Sequence, residues 1–217
     1  MGLTEDLVSW AHEKKCLKAV ESLGRNGFVA VYCPSPQQAF DYIAAEAEEA
    51  SSVGFGGSMS IAGLEVESHL RKMGKEILNH SSPALSRDEK MDIMRRQLTC
   101  DLFLSGSNAV TLSGELINID ATGNRVAAMF FGPRTVIVVA GRNKLVDGSV
   151  QDAIERVKNW ATPPNSKRLN FNTPCASTGF CSDCNSPDRL CRVTTIIERK
   201  PRFTDVRVLV VNADLGF

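Results

Sequence analysis

Four cysteines lie within seventeen residues: Cys175, Cys181, Cys184 and Cys191, spaced C-x5-C-x2-C-x6-C. They fall in residues 173–192, a segment rich in Pro, Ser, Asn and Gly. Four thiolates on one irregular stretch can converge on a tetrahedral centre, the arrangement that zinc and iron–sulfur clusters both want. A packed core does not call for such a grouping; the plain alternative is a set of loop thiols. The expected cofactor is a [4Fe–4S] cluster or zinc. The long, uneven spacing and the neighbouring Pro174 and Pro187 favour the cluster slightly. Cys16, Cys33 and Cys100 fall in or beside predicted elements and read as buried, unreactive thiols.

A second feature is the small-residue turn Gly54-Phe55-Gly56-Gly57-Ser58-Met59-Ser60, between a predicted strand and a predicted helix. Small residues let a backbone approach a ligand, and N–H groups at a helix start favour an anion. No Lys follows as in a Walker motif, and G-x-G-x-x-G fails at Met59, so the turn is a generic cradle for phosphate or carboxylate, or simply a tight turn. Asn124 and Arg125 form one further polar cluster. Asn143 and Lys144, with Arg142, form another directly after the most apolar strand, where open α/β sheets hold ligands. Gly54, Gly56, Gly57, Ser58, Ser60, Asn124, Arg125, Asn143 and Lys144 are therefore the expected ligand-binding set. Glu115, Asp120 and Asp101 are the carboxylates considered for acid–base work, and Glu115, beside a predicted hairpin turn, is the catalytic candidate. Of the three histidines, only His80, after a strand end, is positioned for a site.

The elements that must place these residues alternate. Helices are predicted over residues 4–23, 36–50, 60–73, 87–98 and 149–160. Strands are predicted over residues 28–32, 52–55, 76–79, 101–104, 135–140, 193–197 and 206–211. A hairpin is expected around Ser113-Gly114, with residues 126–131 a short helix or turn. Residues 135–140 are continuously apolar and β-branched, as a central strand buried on both faces should be. The alternation implies an α/β protein with a mainly parallel sheet flanked by helices, Rossmann-like, with a cysteine-rich loop before the final strands. One domain over residues 1–217 is expected, with residues 173–192 an excursion from it.

Composition narrows the function classes. In 217 residues, Lys+Arg and Asp+Glu are each 25, so the zero net charge argues against a dedicated nucleic-acid surface while allowing a local basic pocket. The N-terminus has no apolar run of signal length, Asp6 stands where an acylation signal needs Ser or Thr, and the densest apolar stretch is strand-sized. A cytoplasmic protein with no membrane partner is expected, where seven cysteines serve as thiols or metal ligands rather than disulfides.

As a set, and in order along the chain, four segments resemble the lactate utilization (LUD) domain family. They are residues 53–60; Ser107-Asn108-Ala109-Val110 with Gly114-Glu115-Leu116-Ile117-Asn118; Gly123-Asn124-Arg125-Val126-Ala127-Ala128; and Gly141-Arg142-Asn143-Lys144. The resemblance implies a fold like that of the ribose-5-phosphate isomerase, glucosamine-6-phosphate deaminase and coenzyme A transferase group, with the glycine turn where those enzymes hold phosphate or coenzyme A. It also implies an accessory role in oxidising lactate or another hydroxy acid, with a small anionic ligand and a redox protein partner. Longer members carry ferredoxin-type C-x2-C-x2-C-x3-C runs, which this chain lacks. The alternative is an isomerase- or transferase-like enzyme on a phosphorylated sugar or acyl-CoA, with a purely structural cysteine site.

Overall fold

A computed structural model describes residues 3–217; Met1 and Gly2, part of the stretch searched for a targeting signal, lie outside the described residues. The chain forms α1 (Leu3–Arg25), β1 (Val29–Cys33), α2 (Pro36–Glu46), β2 (Ser52–Phe55), α3 (Met59–Ala62), α4 (Val66–Lys72), β3 (Glu76–Asn79), α5 (Arg87–Arg96) and β4 (Leu102–Gly106). There follow β5 (Ala109–Thr111), β6 (Leu116–Asp120), α6 (Asn124–Phe130), β7 (Thr135–Gly141), β8 (Leu145–Val146), α7 (Val150–Arg156), α8 (Thr162–Arg168), α9 (Pro174–Thr178), β9 (Val193–Ile197) and β10 (Asp205–Val211).

Six strands make one wholly parallel sheet in the order β1-β10-β7-β4-β2-β3. Side chains alternate across a strand, and β7 divides accordingly. Val136, Val138 and Ala140 pack with Cys16, Leu23 and Phe103 on one face, whereas Ile137 and Val139 pack with Ile43, Leu70 and Leu104 on the other. Both faces are thus covered, which is why this strand reads as an unbroken apolar run. The expected α/β architecture with a mainly parallel sheet is what forms.

A second, four-stranded sheet, β8-β5-β6-β9, stands beside it. It contains the anticipated hairpin, β5 antiparallel to β6. The last two predicted strands separate: β9 pairs with β6 in the small sheet and β10 lies between β1 and β7 in the large one. Local strand propensity does not say which sheet a strand joins. The helix predicted over residues 60–73 is broken, because Glu65 adopts a left-handed φ of 54° and turns the chain so that Leu64 and Val66 both enter the core.

Helices α7 and α8 run together through a π-helical turn, Val157–Ala161, in which the Thr162 N–H donates to the Val157 carbonyl five residues back. Pro163 and Pro164 follow at once. They have no N–H to give, and a proline ring in an α-helix crowds the carbonyl four residues back; widening the preceding turn relieves that contact. Val157 and Ala161 from this turn pack on Ala109 and Ile117 of the small sheet. Among the described residues no helix is long and apolar enough to cross a membrane.

Candidate functional site

Four neighbouring strands of the large sheet, β7, β4, β2 and β3, end at the mouth of one cleft of about 490 Å³. Lys144 comes after β7, Gly106 to Asn108 close β4, Gly56 to Ser58 follow β2, and His80 follows β3. The far wall is the π-turned helix, through Val157, Ala161, Thr162, Asn165 and Arg168. Carboxyl ends of parallel strands are where this architecture places ligands, because loops diverge there and leave a crevice.

The cleft is cationic. Lys144 is only 4% exposed. Its Nζ donates to Ser60 Oγ at 2.7 Å, and among the described residues no carboxylate pairs with it. Burial, reinforced by the nearby charges of Arg156 and Arg125, lowers its pKa to about 7. Arg156, just behind, spends its guanidinium on backbone carbonyls of Asn143 and Asn108, and burial brings its pKa down to about 10. Arg168 and Lys90 line the opening. The one carboxylate side chain in the lining, Asp120, is taken by Arg125.

His80 adds a directed donor. Its Nδ1 faces the Gln97 Nε2 at 3.1 Å. Because that same nitrogen donates to the carbonyls of Phe55 and Leu78, it is the amide NH2, which has no lone pair to receive a ring proton, so Nδ1 of the neutral ring carries none. The ring proton therefore sits on Nε2, on the side of Gly57. Burial and the charge of Lys90 lower the His80 pKa, favouring the neutral ring.

The structure divides the residues expected to bind ligand. Gly56, Gly57, Ser58, Asn124, Arg125 and Lys144 line the cleft. Gly57 holds φ at +70°, which presents the turn to the cleft without the strain a side chain would bring. Arg125 lines it but is fully engaged, donating to Asp120 Oδ1 (2.9 Å from Nε), Asn118 Oδ1 (2.9 Å), Asn108 Oδ1 (2.8 Å) and the Gly106 carbonyl (3.1 Å). It braces the ends of β4 and β6 rather than offering a free fork.

Gly54, Ser60, Asn143 and Glu115 are not in the cleft wall. Gly54 is a packing glycine: a Cβ there would sit 2.9 Å from the Phe103 ring and 3.0 Å from Cys100 Sγ. Ser60 is fully buried and acts behind Lys144, passing its own hydroxyl to the Leu215 carbonyl at 3.0 Å. Asn143 clamps the segment ending at Phe217, donating to Gly216 O and accepting from Leu215 N. Glu115 turns into its own hairpin. Burial alone would raise its pKa; hydrogen bonds from the Thr111 and Ser113 hydroxyls and the backbone more than offset this and hold it below the ordinary value. His80, Lys90 and Arg168 are cleft residues that sequence reasoning passed over or ranked low, since each comes from an element distant along the chain.

The four clustered cysteines all line one small void of about 20 Å³, with Lys158, Thr162 and Arg189. Arg189 ties their backbones, donating to the carbonyls of Cys184 and Cys191, and is itself held by Asp183 at 2.7 Å. Asp183, at a left-handed φ of 44°, directs its N–H to Cys181 Sγ at 3.5 Å. Thr162, Leu190 and Cys191 border both this void and the large cleft. All seven cysteines are free thiols. Among the described residues, no group of three or more His, Cys, Asp or Glu is disposed to hold a metal ion as it stands.

The sequence profile of the LUD domain matches residues 16–211. The crystal structure of a DUF162 family protein from Deinococcus radiodurans is similar with a TM-score of 0.54 at 17% identity, covering 92% of this chain and 98% of that one. Ribose 5-phosphate isomerase from Plasmodium falciparum gives a TM-score of 0.33 at 16% identity over 53% of this chain and 55% of its own. No curated protein matches the sequence. With the profile spanning the large sheet from the middle of α1 to the end of β10, the chain belongs to the LUD domain family.

Proposed function

We propose that the chain binds a small anionic metabolite, a hydroxy or keto acid or a phosphate-containing compound, in the cleft at the ends of β7, β4, β2 and β3, and serves as an accessory in hydroxy-acid oxidation such as that of lactate. One observation carries this reading: among the described residues Lys144, Lys90 and Arg168 line the cleft with no carboxylate side chain paired to them, while the single lining carboxylate side chain is consumed by Arg125. Lys144 is buried, Lys90 half-buried and Arg168 exposed at the opening; a buried cation without a partner is costly, and an anion arriving beside it removes that cost. Titration calorimetry with lactate, pyruvate and inorganic phosphate tests it. Binding weakened by salt and by Arg168→Ala supports the reading, and no heat from any of the three removes it.

The four cysteines are proposed to hold zinc or an iron–sulfur cluster. The donor chemistry fits: four thiols share one void, Arg189 fixes the backbone around them, and an N–H already points at one sulfur. An iron–sulfur cluster would supply one-electron transfer beside the cleft and thus call for a redox protein partner; zinc would only order the segment. Anaerobic purification with metal analysis and visible spectroscopy decides between them.

The alternative, an isomerase- or transferase-like enzyme on a phosphorylated sugar or acyl-CoA, is favoured by His80 and Lys144, two acid–base groups lining one cleft. It draws no support from Glu115, which faces its own hairpin.

A further inference from the structure

We propose that Lys144 is a nucleophilic amine that forms an imine with the carbonyl carbon of a small anionic carbonyl compound held in the cleft. The inference rests on the anion-binding reading above and adds to it a reacting atom. Three geometric facts point to it. Lys144 is the buried lysine of the cleft, its Nζ tethered to one hydroxyl, Ser60 Oγ, which fixes its direction and leaves its lone pair for a ligand. Two guanidiniums flank it: Arg125 lines the same cleft, and Arg156 donates to the carbonyl of the preceding residue, Asn143; neither gives up its proton at neutral pH. His80 Nε2–H lines the same cleft and can hold a carbonyl oxygen by hydrogen bonding.

Cationic neighbours and desolvation are the two means by which a lysine is kept neutral, and the pKa of about 7 agrees. The charged or titratable side chains that bear on Lys144 or share its cleft are Arg125, Arg156, Arg168, Lys90, His80, Cys191 and Asp120, and Asp120 is spent on Arg125.

In the step, the amine nitrogen bonds to the carbonyl carbon as the C=O π pair moves to oxygen. One proton passes from nitrogen to that oxygen, a second comes from solvent, and the oxygen leaves as water, giving the protonated imine. The charge so formed replaces that of an ordinary lysine and withdraws electrons from the adjacent carbon.

The test is borohydride trapping on the intact wild-type chain, with pyruvate in one arm and dihydroxyacetone phosphate in the other, followed by peptide mass mapping. The expected result is a reduced adduct on the peptide carrying Lys144, lost in Lys144→Met and absent with acetone. The arm that yields it tells whether carboxylate or phosphate is preferred. No adduct at Lys144 in either arm overturns the proposal. If calorimetry still detects either anion, the binding reading survives that failure; if it detects neither, both fall. Mapping the wild-type protein keeps the result independent of whether Lys144→Met folds.

Discussion

Lys144 Nζ rests on Ser60 Oγ at 2.7 Å, and these two residues, 84 apart in sequence, join the end of β7 to the helix start that follows the glycine turn. Neither is charged-paired in the ordinary way, so the contact couples the strand ends without neutralising the lysine. Its consequences for stability run through pH.

The folded-state pKa of Lys144 is depressed from 10.5 to about 7. Between those values the unfolded chain binds the proton that the folded one has released, so this residue makes stability rise as pH goes from about 7 towards 10.5. Below that window both states are protonated and the full cost of a buried charge is present. Lys144→Met should therefore be more stable than the parent near neutral pH, by a few kcal/mol at most (roughly 1.4 per pKa unit before the lost hydrogen bond is counted). The gap should close as pH rises. Urea midpoints at several pH values check it; a gap that widens with pH contradicts it.

Arg125→Ala should cost more than any other single change at the site. It leaves Asp120 without its cation and frees the carbonyls and amide oxygens that now converge on one guanidinium. Breaking a buried pair on one side costs about 3–5 kcal/mol. Adding Asp120→Asn should restore part of the loss, because the orphaned charge goes with it. Denaturation of the two single variants and the double variant measures the coupling, and strict additivity would refute it.

Gly54→Ala and Gly57→Ala separate the two tasks of the glycine turn. At Gly54 a methyl meets the Phe103 ring at 2.9 Å, so the cost is core overpacking of about 1–3 kcal/mol, with anion affinity preserved in the folded fraction. At Gly57 the nearest atom is 3.8 Å away and the cost comes from φ at +70°, about 1–2 kcal/mol. That change bends the turn which lines the cleft, so affinity should drop as well. Calorimetry beside thermal melts distinguishes them.

The parallel sheet was legible because a strand buried on both faces must be continuously apolar, as residues 135–140 are, and helix starts carry caps such as Ser86 with Glu89. Lys144 was legible too, since it follows the strand whose carboxyl end opens the cleft. What sequence could not separate was lining from bracing. Arg125, Asn143 and Gly54 occupy the right positions along the chain, yet their side chains, or the lack of one, serve the backbone, because buried carbonyls and amides must be satisfied before any ligand is. His80 and Arg168 reach the cleft only through the third dimension. The adjacency of the cysteine segment to the cleft has the same origin: the π-turned helix, shaped by Pro163 and Pro164, gives Thr162 to both cavities.

Glu115→Gln should leave anion binding unchanged, since Glu115 hydrogen-bonds within its own hairpin, to Thr111 and Ser113. Its folded pKa lies below 4.5, so its contribution is present above that value and is lost as pH falls through the folded one. At pH 7 the variant should lose about 1 kcal/mol, the worth of a hydrogen bond. Equal affinity with a slightly lower midpoint is the expected pair of results; a lost affinity would return Glu115 to the site.

Thiol reactivity should split the seven cysteines into two classes. Burial raises Cys16, Cys33 and Cys100 to about 11, so at pH 8 roughly one in a thousand of each is thiolate, the species that reacts. Cys181 and Cys184 are partly exposed and should alkylate first with iodoacetamide. Cys191, raised mainly by burial, and the buried Cys175 should follow. Zinc added beforehand should protect all four together if they form one site, since each ligand must be deprotonated and held at once. Mass mapping of the time course reads both effects. Protection of Cys181 and Cys184 alone would mean a two-thiol site, and a four-cysteine centre would then have no basis in the void they share.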